Sequence, residues 1–262
     1  MTQMSSITAL GRGSLSMVER NLTFLFSGSS YGWAVFASAV ESLLLLGAFA
    51  WGFGDVDVTL ADGTASFAEF VAPALVAVAA LNAAWAENLF TFFGKLTFAK
   101  LYRPILYTPM SSTTIAIGEL LTGLLRVGLQ VALVTSTMWV FGLAPGSSIV
   151  GLLAAGLAIG AAFSIVGMAL GTFLRTWEDF DFVNALQVAL MVVSGVFFPI
   201  STLPSWLHVV AEVSPLHYAV GIVRSIRQGA VPPLSMVVGL SSWTVGAGLV
   251  LCSRVRRVMS RC

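Results

Sequence analysis

The sequence predicts an all-α membrane protein with six transmembrane helices, and three observations predict it. Hydrophobic residues make up 57% of the 262 and charged residues only 10%, whereas soluble domains carry roughly 25% charged residues. A water-soluble chain of this size could not hide so much apolar surface. The apolar residues gather in runs close to the ~20 needed to cross ~30 Å of hydrocarbon. Basic residues then recur in alternate connections, as expected when Lys and Arg are retained on the cytoplasmic side.

The elements follow in order within a single domain, 1–262. Residues 5–26 place Ile7, Leu10, Leu15, Met17, Val18, Leu22 and Phe24 at roughly helical spacing among Arg12, Glu19 and Arg20. That pattern fits an interfacial helix with its basic residues against anionic headgroups. Spans follow at 31–53, 67–86, 113–141, 148–173, 183–198 (a short one) and 234–252. Gly151, Gly156, Gly160 and Gly167 in the fourth span let helices approach closely in lipid.

Residues 87–110 interleave Phe90, Phe92, Phe93, Leu96, Phe98, Leu101 and Tyr102 with Lys95, Lys100 and Arg103, and stop at Pro104. A short aromatic, basic helix of this kind suits a groove in another protein; a surface anchor without a partner is the alternative. Residues 201–229 are apolar but broken by Pro204 and Pro215, with Pro199 just ahead. Broken backbone survives at membrane depth only when covered by protein or lining a wet cavity. This stretch therefore reads as an outer re-entrant hairpin turning near Ser214–Pro215.

Charge orients the set. Arg12 and Arg20, then Lys95, Lys100 and Arg103, then Arg175, then Arg254, Arg256, Arg257 and Arg261 all fall on one side of six spans. The loop 53–66 has Asp55, Asp57 and Asp62 and no basic residue. Both termini are thereby cytoplasmic. Arg224 and Arg227 break the trend, and Glu212 or a lipid phosphate is expected to compensate Arg224. Glu41, Glu119 and Arg126 lie inside apolar runs. Such groups are costly in lipid, so they pair helices or contact cargo; the first role is favoured.

Little here is enzymatic. No GxxxxGK[ST], HExxH or GxSxG motif occurs, so the chain has no means of its own to cradle ATP. His208, Glu212 and His217 fall short of a metal-ligand set. A net charge of +1 leaves no basic face for nucleic acid, and no cleavable leader is evident in the first thirty residues.

The run SGVFFPISTLPSWLHVVAEVSPLHYAVGIVRSI (194–226), with Phe198–Pro199, Leu203–Pro204, Trp206, Pro215–Leu216, Tyr218 and Arg224 in order, resembles the signature of type-2 ABC exporter permeases. YRPILYTPMSSTTIAIGELL (102–121), which includes Glu119, resembles that family's coupling region and the start of its third span. The resemblance covers essentially the whole chain, and its length and pattern are most like the NodJ-type nodulation-factor and daunorubicin-exporter permeases. It implies an ATP-driven exporter subunit in the cell (inner) membrane that moves an amphipathic cargo outward: a lipid-linked sugar, a glycolipid or a hydrophobic drug. It implies a second permease copy and two copies of a separate ABC ATPase. ATP and Mg would be held by the ATPase, and no cofactor by this chain. Phe92, Phe93, Lys95, Phe98, Lys100 and Arg103 would couple to the ATPase. Pro199, Pro204, Trp206, Pro215, Tyr218 and Arg224 would form the outer gate, and spans one and five the dimer seam. An ATP-independent channel or lipid scramblase is the alternative, followed by a membrane enzyme acting on polyprenyl-linked sugars.

Overall fold

Ser66 and Glu69 set the start of the longest helix. In the computed structural model, which describes residues 13–21, 23, 40, 44, 46–48, 52, 57–60, 63–108 and 110–259, Ser66 Oγ accepts the Glu69 backbone N–H at 3.3 Å. This Ser-x-x-Glu pattern is a capping-box signature, and helix α1 runs from there over Phe67–Phe98. Its first stretch, Phe67–Trp85, is α-helical, whereas Ala86–Thr91 and Gly94–Phe98 are π-helical. A short antiparallel hairpin precedes it, β1 (Asp57–Leu60) paired with β2 (Gly63–Ser66), Asp57 opposite Ser66. The all-α expectation lacked this hairpin; otherwise the described residues are helices and their connections.

The remaining helices are α2 (Tyr102–Leu106), α3 (Ser112–Val140), α4 (Ile149–Gly171), α5 (Glu178–Val193), α6 (Ser205–Val213), α7 (Pro215–Arg227) and α8 (Leu234–Met259). Among the described residues four are long and apolar enough to cross a membrane: α1, α3, α4 with its lead-in from Gly146, and α8. The pair α6 and α7, bent by 83° across Ser214, makes a fifth if the two count as one span. The expected first span, 31–53, and Glu41 within it lie outside the described residues apart from helical positions 40, 44, 46–48 and 52.

Two expected boundaries need correction. The second span does not stop at residue 86 but continues helically to Phe98. The fifth does not cover 183–198: α5 begins earlier and ends at Val193, because Gly195 takes a left-handed φ of +77°. That conformation is the usual helix stop, and glycine adopts it without Cβ strain.

The core forms around α1, which packs on α3, α4 and α7. Its apolar window is 83% buried, against 11% for α8, which lies on the outside of the bundle. Glycines set the α3–α4 distance: a Cβ at Gly156 would come within 2.4 Å of Val131, and one at Gly160 within 2.2 Å of Val127. The described part of the N-terminal arm, helical at 13–21 and 23, buries Met17 against Gly118 at the start of α3.

Candidate functional site

A cluster of charges joins the arm, α1 and α3. Lys95 Nζ lies 2.7 Å from Glu119 Oε2 and 3.5 Å from Glu87 Oε1. Glu87 Oε2 in turn meets Arg126 Nη1 at 3.4 Å, and Arg20 Nη2 reaches Glu119 Oε1 at 3.5 Å. Glu119 and Arg126, two turns apart on α3, are thus linked through two residues of α1. The carboxylate side chains are 1–2% exposed. At that burial a lone charge is costly, and partnering makes it tolerable. Asn21 Nδ2 donates to Thr122 Oγ1 at 3.1 Å and Arg20 Nη2 to Asn21 Oδ1 at 3.0 Å, which fixes the arm. Arg20 therefore turns toward Glu119, not simply outward to headgroups. Beside the cluster, Asn88 is fully buried and its amide has no hydrogen-bond partner among the described residues. It packs so closely on α3 that a Cβ at Gly123 would fall 1.8 Å from its Nδ2.

At the opposite end of α1 lies a second polar group. Arg224 Nη2 donates to the Gly195 carbonyl at 2.8 Å and, at 3.4 Å each, to the Val196 and Phe70 carbonyls. Its guanidinium also stacks 3.8 Å over the Phe70 ring. Arg227 donates to the Leu143 carbonyl at 2.8 Å and pairs with Glu69 at 3.2 Å. Glu212, expected to balance Arg224, instead receives the Tyr218 hydroxyl on its backbone carbonyl. Ser194 and Ser214 hydroxyls meet at 2.6 Å, and Trp243 Nε1 donates to Val213 at 2.9 Å, so the elbow between α6 and α7 is held from both sides. Trp206 is exposed. Of the expected gate residues, Pro215 starts α7 and Pro204 precedes α6. Pro199 leads into a short 3-10 turn, Ile200–Thr202.

The turn after α1 is the third region. Lys100 holds a left-handed φ of +47° and reverses the chain into α2. Phe98, Lys100, Leu101, Arg103 and Tyr107 are exposed around it. Phe92, Phe93 and Lys95 are not: the two rings are 1% and 0% exposed, and Lys95 serves the ion cluster. This corrects the expectation that all six coupling residues face a partner. Phe98 stacks flat on Trp177 at 4.8 Å, and Phe93 meets Phe98, Trp177 and Phe180 edge-on, tying the turn to the start of α5. Burial, reinforced by the nearby Glu119 carboxylate, pushes the Tyr102 phenol well above its ordinary range. Backbone N–H groups of Arg175 and Thr176 donate to the Asp179 carboxylate at 2.7 and 3.0 Å, capping the start of α5.

The profile of a family described as the ABC-2 type transporter matches residues 14–227, which takes in all three regions. The chain belongs to the ABC-2 type transporter family. Relatives within reach of this permease include Nodulation protein J of Rhizobium leguminosarum bv. trifolii, 26% identical with 86% of each chain covered. Nodulation protein J of Azorhizobium caulinodans is 27% identical over 80% of this chain and 85% of its own. The inner membrane transport permease YadH of Escherichia coli is 25% identical over 61% and 62%. An ABC-2 permease is a multi-pass membrane protein, in keeping with the apolar helices here. Sequence reasoning missed Glu87 and Asn88 as members of the site. Their signal was present, since both are polar residues directly continuing an apolar run.

Proposed function

We propose that this chain is the membrane-spanning subunit of an ATP-driven exporter and moves an amphipathic cargo outward across the inner membrane. Family membership over residues 14–227 carries the reading. Two copies of the chain would enclose the path, meeting along span one and α5, whose Phe182, Leu186, Val188 and Val192 are exposed. Two copies of a separate ATPase would dock on the turn at Phe98, Lys100, Leu101, Arg103 and Tyr107. Its exposure, its two cations and its sharp reversal at Lys100 suit a rigid peg. The aromatic contacts of Phe93 and Phe98 with Trp177 and Phe180 would then carry movement of the ATPase to α5. From there the Ser194–Ser214 contact leads to the elbow.

The same reading puts this turn and both termini in the cytoplasm, because Lys100, Arg103, Arg175 and the Arg254–Arg257 stretch share one side. The elbow and the β hairpin then lie outside. The cargo class is that of a lipid-linked sugar, a glycolipid or a hydrophobic drug.

The experiment is reconstitution into liposomes with and without a partner ATPase. ATP hydrolysis and outward movement of a fluorescent glycolipid should both require the ATPase. Transbilayer movement of the lipid at the same rate without ATPase and ATP would overturn the proposal in favour of a scramblase.

A further inference from the structure

We infer that the cavity between the N-terminal arm, the π-helical end of α1 and the loop before α5 binds the headgroup of an anionic phospholipid, with Arg20 and Lys95 as its cationic wall. The cavity has a volume of about 550 Å³, and Arg20, Lys95, Phe90, Gly94, Leu101 and Trp177 are among its walls. The inference does not depend on ATP-driven export.

Depth is the first argument. Glu69 and Glu87 mark the two ends of the uncharged stretch of α1. Eighteen residues at 1.5 Å each separate them by ~27 Å, close to the ~30 Å of a bilayer's hydrocarbon. Gly94 and Lys95 lie beyond Glu87, at the level of the headgroups.

Hydrogen-bond capacity is the second. Lys95 has three N–H donors and directs its ammonium at the Glu87 and Glu119 carboxylates. Arg20 has five, and its contacts with Asn21 and Glu119 both use Nη2. Glu87 is also a wall residue, but its carboxylate is 2% exposed and already paired with Lys95 and Arg126; Glu119, 1% exposed, is not in the wall, whereas the Arg20 side chain is 39% exposed. What the cavity presents is spare donors, and an anion supplies what they lack. A choline group in the same place would meet two like charges.

The rest of the wall decides the kind of anion. Phe90, Leu101 and Trp177 offer apolar surface that a bare ion could not use but the start of an acyl chain can. Gly94 supports this independently. Glycine weakens a helix interior, yet a Cβ there would meet nothing within 4 Å. Among the described residues no neighbour demands glycine at this position; its missing side chain leaves the cavity open.

The test titrates the detergent-purified full chain with phosphatidylglycerol or phosphatidylcholine and counts retained lipids by native mass spectrometry. The unaltered chain should retain phosphatidylglycerol in preference to phosphatidylcholine. Gly94→Leu, which fills the cavity and leaves every charge in place, should lose that preference while keeping the same unfolding temperature. Arg20→Gln should weaken phosphatidylglycerol binding about tenfold, and Arg20→Lys should restore most of it. Unchanged preference in Gly94→Leu would overturn the proposal. Displacement of the lipid by soluble glycerol phosphate would overturn it too, because the site would then be one for free phosphate.

Discussion

The two ends of α1 handle buried cations in opposite ways. Near Lys95, charge meets charge: three cations from the arm, α1 and α3 share the Glu87 and Glu119 carboxylates. Near Phe70, two arginines are met mostly by backbone oxygen, from Gly195, Val196, Phe70 and Leu143. The difference follows from the backbone. Helical backbone, α or π, consumes most of its own carbonyls, so the cations beside Lys95 find side-chain acceptors. At the break after α5 and the turn after α3 the carbonyls are loose, and an arginine fork gathers several of them. Irregular backbone and arginine come as a set at one end, and neighbouring helices and carboxylates at the other.

One substitution made in both regions tests this. Lys95→Gln removes the shortest ion pair of the cluster, leaving Glu119 and Glu87 only their longer contacts to Arg20 and Arg126, and should cost the most, about 3–5 kcal/mol, in detergent unfolding measurements. Adding Glu119→Gln should recover much of that, and no recovery would mean that the ion pairing is not what stabilises this end. Arg224→Gln leaves only neutral carbonyls behind, and a Gln amide can still serve one of them. Its cost should be smaller, about 1–3 kcal/mol. Equal costs for the two would erase the distinction between the regions.

Gly123→Ala probes how tightly the ion cluster's helices are drawn together. The new Cβ must displace Asn88, for about 1–2 kcal/mol net of alanine's better helix propensity. Asn88→Ala in the same chain should abolish the penalty, measured in the same unfolding assay. The smallest effect on stability is expected for Phe98→Ala at the exposed turn, about 0.5–1 kcal/mol for the lost stack on Trp177. Its ATPase-coupled transport should nonetheless fall. Phe93→Ala, by contrast, should lower the unfolding temperature, since its ring is buried. Identical stability for the two variants would contradict the burial that separates them.

The sequence told these regions apart only in part. Spans at 113–141 and 148–173 match α3 and α4 within a residue or two, because long apolar runs with Ser at the start of α3 and a Pro–Gly turn between them are local signals. The elbow at Ser214–Pro215 was legible for the same reason, since proline at the first helical position starts a helix. The far half of α1 was not. Glu87 and Lys95 look like the end of a span until Glu119 and Arg126, 24 to 39 residues further on, are seen to neutralise them. The partners of Arg224 were equally hidden, because backbone carbonyls have no residue signature. Gly195 did carry a usable signal for the end of α5, a Ser–Gly pair placed directly after an apolar helical run.

Phe92, Phe93 and Phe98 were indistinguishable in composition because the helical phase that separates them is not that of an α-helix. Each π turn holds one residue more than its α counterpart, and α1 contains two such stretches. A single-residue deletion inside Gly94–Phe98 would be absorbed as the π turn rewinds to the α repeat, whereas one inside the α-helical Phe67–Trp85 would swing everything beyond by about 100°. In the first case Lys100, Arg103 and Tyr107 would keep nearly the same bearing; in the second they would point to a different quarter of the compass. The π stretch is therefore a place where one codon can be lost without re-aiming the peg.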